Sequence, residues 1–171
     1  MNFGIIIIGI ILVIIGVVPV ILINNNYKKG EKKSLKALND LAASSNCTIT
    51  QFDLLNKRTI GIDRENRKLF FIKSFSNRIV EREIDLSKIK KCQIINTSRT
   101  VKNKDGNYKI TEKIELEFTS IENTQRAAQI EWFDVAYDNF MLSNDYQLIE
   151  KWEKLINTYL KEQGPKLASN F

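Results

Sequence analysis

Tyr108-Lys-Ile-Thr-Glu-Lys-Ile-Glu-Leu-Glu-Phe-Thr119 decides the fold, because apolar and polar side chains alternate along it. Side chains of a β-strand point alternately to its two faces, so residues two apart share a face. One apolar and one charged face are typical of an antiparallel sheet that has a core on one side and water on the other. The apolar face carries Ile110, Ile114, Leu116 and Phe118, interrupted by Glu112, and the wet face carries Thr111, Lys113, Glu115 and Glu117.

Similar short segments on both sides of this stretch predict about seven antiparallel strands. The polar turn Arg64–Arg67 separates two apolar runs and indicates a hairpin. Asp105-Gly106 marks another reversal of the chain. The expected strands are Cys47–Leu55, Thr59–Asp63, Lys68–Lys73, Asn77–Ile84, Lys90–Asn96, Tyr108–Thr119 and a last one that contains Ala128, Ile130 and Trp132.

After the strands the period of the apolar residues changes to that of a helix. From Leu148 to Leu160 they recur every three or four residues, and charged residues lie opposite them. This pattern predicts an amphipathic helix that packs on the sheet, and Gly164-Pro165 is expected to end it. A narrower stripe, formed by Leu35, Leu38, Leu41 and Ala42, predicts a short helix that leads into the strands.

An apolar segment near the N-terminus predicts a membrane anchor. Phe3–Ile23 contains no charged or polar side chain, and about 20 apolar residues form a helix that crosses the hydrocarbon core of a bilayer. A buried helix of a globular domain would show a polar face. A cleaved signal peptide needs a basic start, a shorter apolar core and a small-residue cleavage site. We therefore expect an uncleaved transmembrane helix.

The charges beside this segment predict its orientation. Five lysines lie within residues 28–36 against the single acid Glu31, and no charged side chain precedes the segment. Positively charged flanks remain in the cytoplasm, so we expect a single-pass plasma or inner membrane protein with its N-terminus outside and its C-terminal domain in the cytoplasm. The expected organisation is a transmembrane anchor over 1–26, a basic linker helix over 27–45, a β-domain with its helix over 46–163, and a tail over 164–171.

Residue composition argues against an enzyme. The chain has no histidine and only two cysteines, Cys47 and Cys92, so neither a Ser-His-Asp nor a Cys-His arrangement can be assembled. The usual zinc-ligand spacings are absent, as are glycine-rich phosphate loops. We therefore expect no catalytic residues, no metal and no cofactor, and two cysteines that are buried as small apolar side chains.

Positive charge is concentrated in the first part of the chain. Residues 27–104 carry a net charge of +11 and residues 105–171 carry −5. Basic residues close to an anionic leaflet are attracted to it, so this distribution favours contact with lipid headgroups or with an acidic protein. The candidate contacts with an anionic surface are Lys28, Lys29, Lys32, Lys33, Lys88, Lys90, Lys91, Arg99, Lys102 and Lys104.

Three motifs resemble the bacterial pleckstrin-homology (PH)-like domains. Ile60-Gly-Ile-Asp-Arg-Glu-Asn-Arg-Lys-Leu-Phe-Phe71 is similar to their early hairpin, and Ile84-Asp-Leu-Ser-Lys-Ile-Lys-Lys-Cys92 to the strand, turn and strand that follow. Trp152 is similar to the tryptophan of their terminal helix. The resemblance implies a mainly β fold with a C-terminal α-helix, in which a bent antiparallel β-barrel is capped by that helix and preceded here by one transmembrane helix.

A PH-like fold implies a binding module, so the expected function is a non-enzymatic, membrane-anchored interaction module. Its cytoplasmic domain would bind a protein partner or anionic lipid headgroups. Nucleic acid is not an expected partner, because no aromatic stacking platform accompanies the basic residues. The alternatives are a structural subunit of a membrane complex and, if the topology is reversed, an exported envelope domain.

Overall fold

The computed structural model describes residues 30–75, 78–103, 106–122, 125–138 and 143–167. Helix α1 covers 30–44, and the other elements follow in chain order. They are β1 (Gln51–Leu55), β2 (Arg58–Asp63), β3 (Lys68–Ser74), β4 (Ile79–Asp85), a 3-10 turn (Leu86–Lys88), β5 (Ile89–Asn103), β6 (Gly106–Ser120), β7 (Arg126–Asp134) and α2 (Ser143–Leu167). The prediction of a mainly β fold of antiparallel strands with a C-terminal helix is confirmed.

Strands β1 to β4 form a four-stranded antiparallel sheet in chain order, called sheet A below. Its central strand β3 is apolar on both faces, unlike the alternating stretch in β6. Leu69 and Phe71 face the main core, while Phe70 and Ile72 pack against α1 on the outer side. Sheet A is therefore covered on both faces.

Helix α1 lies close to sheet A over Gly61. A Cβ placed on Gly61 would be 2.8 Å from Leu38 Cδ2 and 3.0 Å from Ile49 Cγ2. Leu38 and Ala42 are both buried in this outer cluster. The glycine thus provides the space into which α1 packs.

Strands β5 to β7 form a second antiparallel sheet, sheet B. Its core face carries the side chains predicted from the alternation, Ile114, Leu116 and Phe118, all fully buried. They pack with Ile60 and Ile62 of sheet A and with Trp152 of α2. The main core therefore lies between the two sheets and α2.

The predicted closed barrel is wrong, because the strands form two separate open sheets. The edge of β5 is covered by α2 instead of by another strand. Asn157 accepts a hydrogen bond from the Cys92 N–H (3.0 Å) and donates one to the Cys92 carbonyl (2.8 Å), while Glu153 accepts from the Ile94 N–H (3.0 Å). These side chains replace the neighbouring strand that would close a barrel.

Several element boundaries differ from the sequence prediction. β5 continues beyond Asn96 to Asn103, and α2 continues past Gly164-Pro165 to Leu167. The first strand begins at Gln51 and not at Cys47, because Thr48 donates its N–H to the Asp63 carboxylate (2.7 Å). In the part of the chain described, no helix is long and apolar enough to cross a membrane. The predicted anchor Phe3–Ile23 lies outside the described residues.

Candidate functional site

The hairpin of β5 and β6 extends further than the third strand of sheet B. β7 ends at Asp134, opposite Lys113, and the last contact along it is a hydrogen bond from the Val135 N–H to the Glu112 carbonyl (2.9 Å). Beyond this point, among the residues that the structure describes, β5 and β6 pair only with each other, from Ser98↔Thr111 to Asn103↔Gly106. Residues 98–103 and 106–111 therefore form a two-stranded projection, called the arm below.

The two faces of the arm differ in chemistry. Arg99 lies opposite Ile110 and Val101 opposite Tyr108, and directly opposite residues share a face. Because Glu112 has no partner in this register, this face continues the outer side of sheet B and not its core side, and Tyr108 and Ile110 are 48% and 41% exposed. The other face carries the intervening residues, among them Lys102 and Lys109.

An exposed ion pair marks the base of the arm. Arg99 Nε lies 3.2 Å from Glu112 Oε1, and the two side chains are 63% and 37% exposed. A pair of this kind contributes about 0–1 kcal/mol to stability, so it orients the two side chains more than it stabilises the fold. Glu112, which interrupts the apolar side of the predicted strand, is the residue at which the pairing register shifts, and it forms its ion pair with Arg99 on the outer face.

Further apolar side chains are exposed near the base of the arm. The rings of Phe75 and Tyr137 meet edge to face with centroids 6.0 Å apart. The Arg78 guanidinium lies 4.7 Å from the Phe75 centroid and 5.4 Å from that of Tyr137. We use the name arm-end patch for the exposed apolar side chains that lie at this end of the two sheets: Ile79, Tyr108, Ile110, Val135 and Tyr137.

A group of buried charged side chains lies next to the end of β7. Arg58 is 2.9 Å from Asp138 Oδ1 and 3.2 Å from Asp145 Oδ1. Lys73 Nζ lies 2.7 Å from Asp138 Oδ2. Burial by itself would raise the pKa of the Asp138 carboxyl, but the hydrogen bond from Lys73, the Asp134 N–H and the charge of Arg58 lower it overall. This group ties the end of β7 and the start of α2 to sheet A.

The structure separates the predicted basic contacts into different places. Lys88, Lys90 and Lys91 lie where β5 begins, next to the Ser120 end of β6. At a rise of about 3.3 Å per residue, Lys91 and Lys102 are roughly 35 Å apart along β5. Arg99 and Lys102 belong to opposite faces of the arm.

The remaining candidates are Lys32 and Lys33, which lie exposed on α1, and Lys28, Lys29 and Lys104, which lie outside the described residues.

Helix α1 begins on the side of sheet A nearer the arm. Glu31, Lys32 and Leu35 line a depression together with Phe52–Leu54 of β1. The other end of α1 leads to Ser45, which donates to Glu83 at the far end of the sheet. The chain therefore enters the domain from the arm side.

No group of residues in the described part of the chain is arranged to hold a metal ion. Cys47 and Cys92 are buried and free, which confirms that they are apolar core residues. Burial raises the pKa of the Cys92 thiol, and the nearby negative charge of Glu153 raises it further. This thiol is therefore protonated and unreactive at neutral pH.

Sequence reasoning did not identify the arm-end patch. Its members come from three separate segments, and Ile110 follows the same alternation as the core residues Ile114 and Leu116. The pattern contains no signal that the core ends between them. The register shift at Glu112 and the shorter length of β7 reveal it.

Comparison with known proteins adds no family. The chain matches no protein-family model, no curated protein and no solved structure. With the sheets open and no family matched, the identification with the bacterial PH-like domains is wrong, and the function rests on the site itself.

Proposed function

We propose that the chain is a non-enzymatic interaction module that is anchored in the plasma membrane and binds its partner through the arm end. Phe3–Ile23 is the proposed anchor, with the N-terminus outside and the β-domain in the cytoplasm. The anchor and its orientation rest on the apolar segment and on the lysines that follow it.

The observation that carries this proposal is the distribution of exposed apolar side chains. Five of the seven large ones in the described residues belong to the arm-end patch. Of the other two, Ile121 lies at the opposite end of sheet B and Phe52 lies beside the start of α1. Single exposed apolar residues are common, but several of them gathered at one end of a domain are typical of an interaction site.

The roles of the buried charged residues support a binding rather than a catalytic role. Arg58 and Lys73 pair with Asp138 and Asp145, and Asp63 accepts hydrogen bonds that shape a turn. Each of these groups is engaged in holding elements together. A catalytic acid or base would instead face a cavity that admits substrate.

Site-specific photo-crosslinking in cells tests this function. A photoreactive residue at Tyr108 or Tyr137 is expected to give adducts, whereas one at Ile121, which is similarly exposed, is expected to give none. Equal yields at the two ends would contradict a binding role for the arm end. Carbonate extraction and protease protection of the same chain test the anchor and the orientation.

A further inference from the structure

We propose that the arm end is a membrane-docking surface, whose partner is the anionic leaflet of the bilayer that holds Phe3–Ile23. This inference rests on the proposed function, because it takes the membrane anchor as given. It assigns an orientation to the domain, with the arm towards the bilayer and Lys88, Lys90 and Lys91 away from it.

The first support is the short connection between the anchor and the domain. Seven residues lead from Ile23 to Gly30, and a fully extended chain of that length spans at most about 25 Å. Helix α1 begins on the arm side of sheet A, where Lys32 lies beside β1. The end of the domain nearest the bilayer is therefore the arm end.

The second support is the chemistry of the arm-end patch. Tyr108 and Tyr137 combine an apolar ring with a hydroxyl group, and such side chains are enriched at the boundary between lipid and water. Ile79, Ile110 and Val135 are the aliphatic members, each at least two-fifths exposed. A surface of this composition loses little by leaving water for the interface.

The third support is the charge around the arm-end patch. Arg78, Arg99, Lys102 and Lys109 are all exposed there, and the juxtamembrane Lys32 and Lys33 lie at the start of α1 on the same side. Among the acids at this end, Glu112 pairs with Arg99 and Asp138 with Lys73 and Arg58, while Glu31 lies exposed beside Lys32. Lys102 and Lys109, together with Lys32 and Lys33, leave this end with an excess of positive charge for the negative potential of the leaflet.

The opposite end lacks this combination. Lys88, Lys90 and Lys91 are basic and exposed, but the large exposed apolar side chain described beside them is Ile121 alone. Charge without an apolar group attracts a domain to a bilayer but gives it nothing to insert. The opposite end therefore supplies matched controls for both components.

Spin labels in reconstituted bilayers test the orientation. Tyr108→Cys and Ile121→Cys each introduce one exposed thiol, and the native cysteines are buried, so labelling is selective. The full chain is placed in vesicles of phosphatidylcholine with or without phosphatidylglycerol. The label at 108 is expected to be several-fold less accessible to a water-soluble nickel chelate, and more accessible to oxygen, when the anionic lipid is present. The label at 121 is expected to remain fully accessible to the chelate.

The outcomes separate this inference from the proposed function. If carbonate extraction releases the chain from the vesicles, Phe3–Ile23 is not an anchor, and both proposals are wrong. A chain that remains in the bilayer with equal chelate access at 108 and 121 contradicts only the docking. Protection at 108 that appears only with an added membrane protein fraction assigns the arm end to a protein partner and also overturns the docking.

Charge variants test the role of the anionic lipid. Lys102→Ala with Lys109→Ala is expected to reduce the ratio of docked to undocked domain roughly tenfold, because each lysine near the leaflet contributes to the attraction. The matched pair Lys88→Ala with Lys90→Ala is expected to leave the ratio unchanged. Equal effects of the two pairs, or equal protection in purely zwitterionic vesicles, would overturn the anionic leaflet as the partner.

Discussion

At the scale of single residues, Gly61 shows how one missing side chain determines packing. An added Cβ would approach Leu38 and Ile49 within 3.0 Å and Phe52 Cβ at 3.3 Å. We expect Gly61→Ala to lower the free energy of unfolding by about 1–3 kcal/mol, because the buried neighbours must move. Urea unfolding of the chain in detergent micelles measures this. Gly30→Ala is the control, since its Cβ would meet nothing within 4 Å, and equal stability of the two variants would contradict the packing.

The hydrogen bonds that Asp63 accepts predict that stability depends on pH. Its carboxylate accepts hydrogen bonds from the Thr48, Glu65 and Asn66 N–H groups and from the Asn66 side chain. Burial opposes the charge and would raise the pKa, but these hydrogen bonds lower it overall. The pKa of Asp63 is therefore lower in the folded chain than in the unfolded chain. This stabilisation is complete at a pH above the unfolded pKa, about 3.9. It is lost as the pH falls through the folded pKa.

Asp63→Asn is therefore expected to reduce stability at pH 7 and to flatten its decrease between about pH 5 and pH 2. Urea unfolding at a series of pH values measures both effects. Asp40→Asn changes an exposed carboxylate on α1 and serves as the control. A decrease with pH that is as steep in Asp63→Asn as in the parent chain would contradict the role of this carboxylate.

The buried charges beneath the arm-end patch predict a larger effect. Arg58→Met would leave Asp138 and Asp145 without their shared cation. We expect a loss of about 3–5 kcal/mol, since removing one partner of a buried ion pair leaves the buried carboxylates with less compensating positive charge. Thermal unfolding compared with Arg82→Met, which changes an exposed arginine, measures it. A loss no greater than that of Arg82→Met would contradict the structural role.

At the scale of elements, α2 takes the place of a strand along β5. Asn157→Ala removes both hydrogen bonds to the Cys92 backbone, and leaving these groups unpaired costs about 1–3 kcal/mol. We expect faster hydrogen exchange at the Cys92 amide, measured by NMR in micelles. Thr158→Ala, at the exposed neighbouring position, should leave the exchange unchanged. Unaltered protection of Cys92 in Asn157→Ala would show that the helix does not cover this edge.

The elements that the sequence predicted well are those with a buried face. The alternation around Leu116 and the helical stripe around Trp152 follow directly from burial, and the structure contains both. Element ends were predicted less well, because the part of β5 beyond Asn96 has little buried surface to impose a pattern. Its strand structure comes from pairing with β6, which a polar sequence does not display.

At the scale of the whole molecule, neighbours in sequence become distant in space. Lys88 to Lys104 form one basic run in the sequence, but an extended strand distributes it between two ends and two faces. Conversely, the arm-end patch assembles residues from the start of β4, from the arm and from the segment after β7. Composition and periodicity describe the core, whereas this surface depends on the relative lengths of strands.

The separation of core and arm leads to a prediction for the whole fold. Replacing residues 99–110 by Asn-Gly would join Ser98 to Thr111 through a two-residue turn, which suits a hairpin. In the described part of the chain no third strand pairs with the arm, and a two-stranded hairpin contributes little stability by itself. We therefore expect the free energy of unfolding to change by less than about 1 kcal/mol. The photo-crosslinks at Tyr137 should nevertheless decrease, because the shortened chain lacks Tyr108 and Ile110 of the arm-end patch. Circular dichroism and urea unfolding measure the first effect, and the crosslinking yield measures the second. A shortened chain that fails to fold would show that the arm belongs to the folding unit, whereas one that folds and crosslinks like the parent would place the binding surface elsewhere.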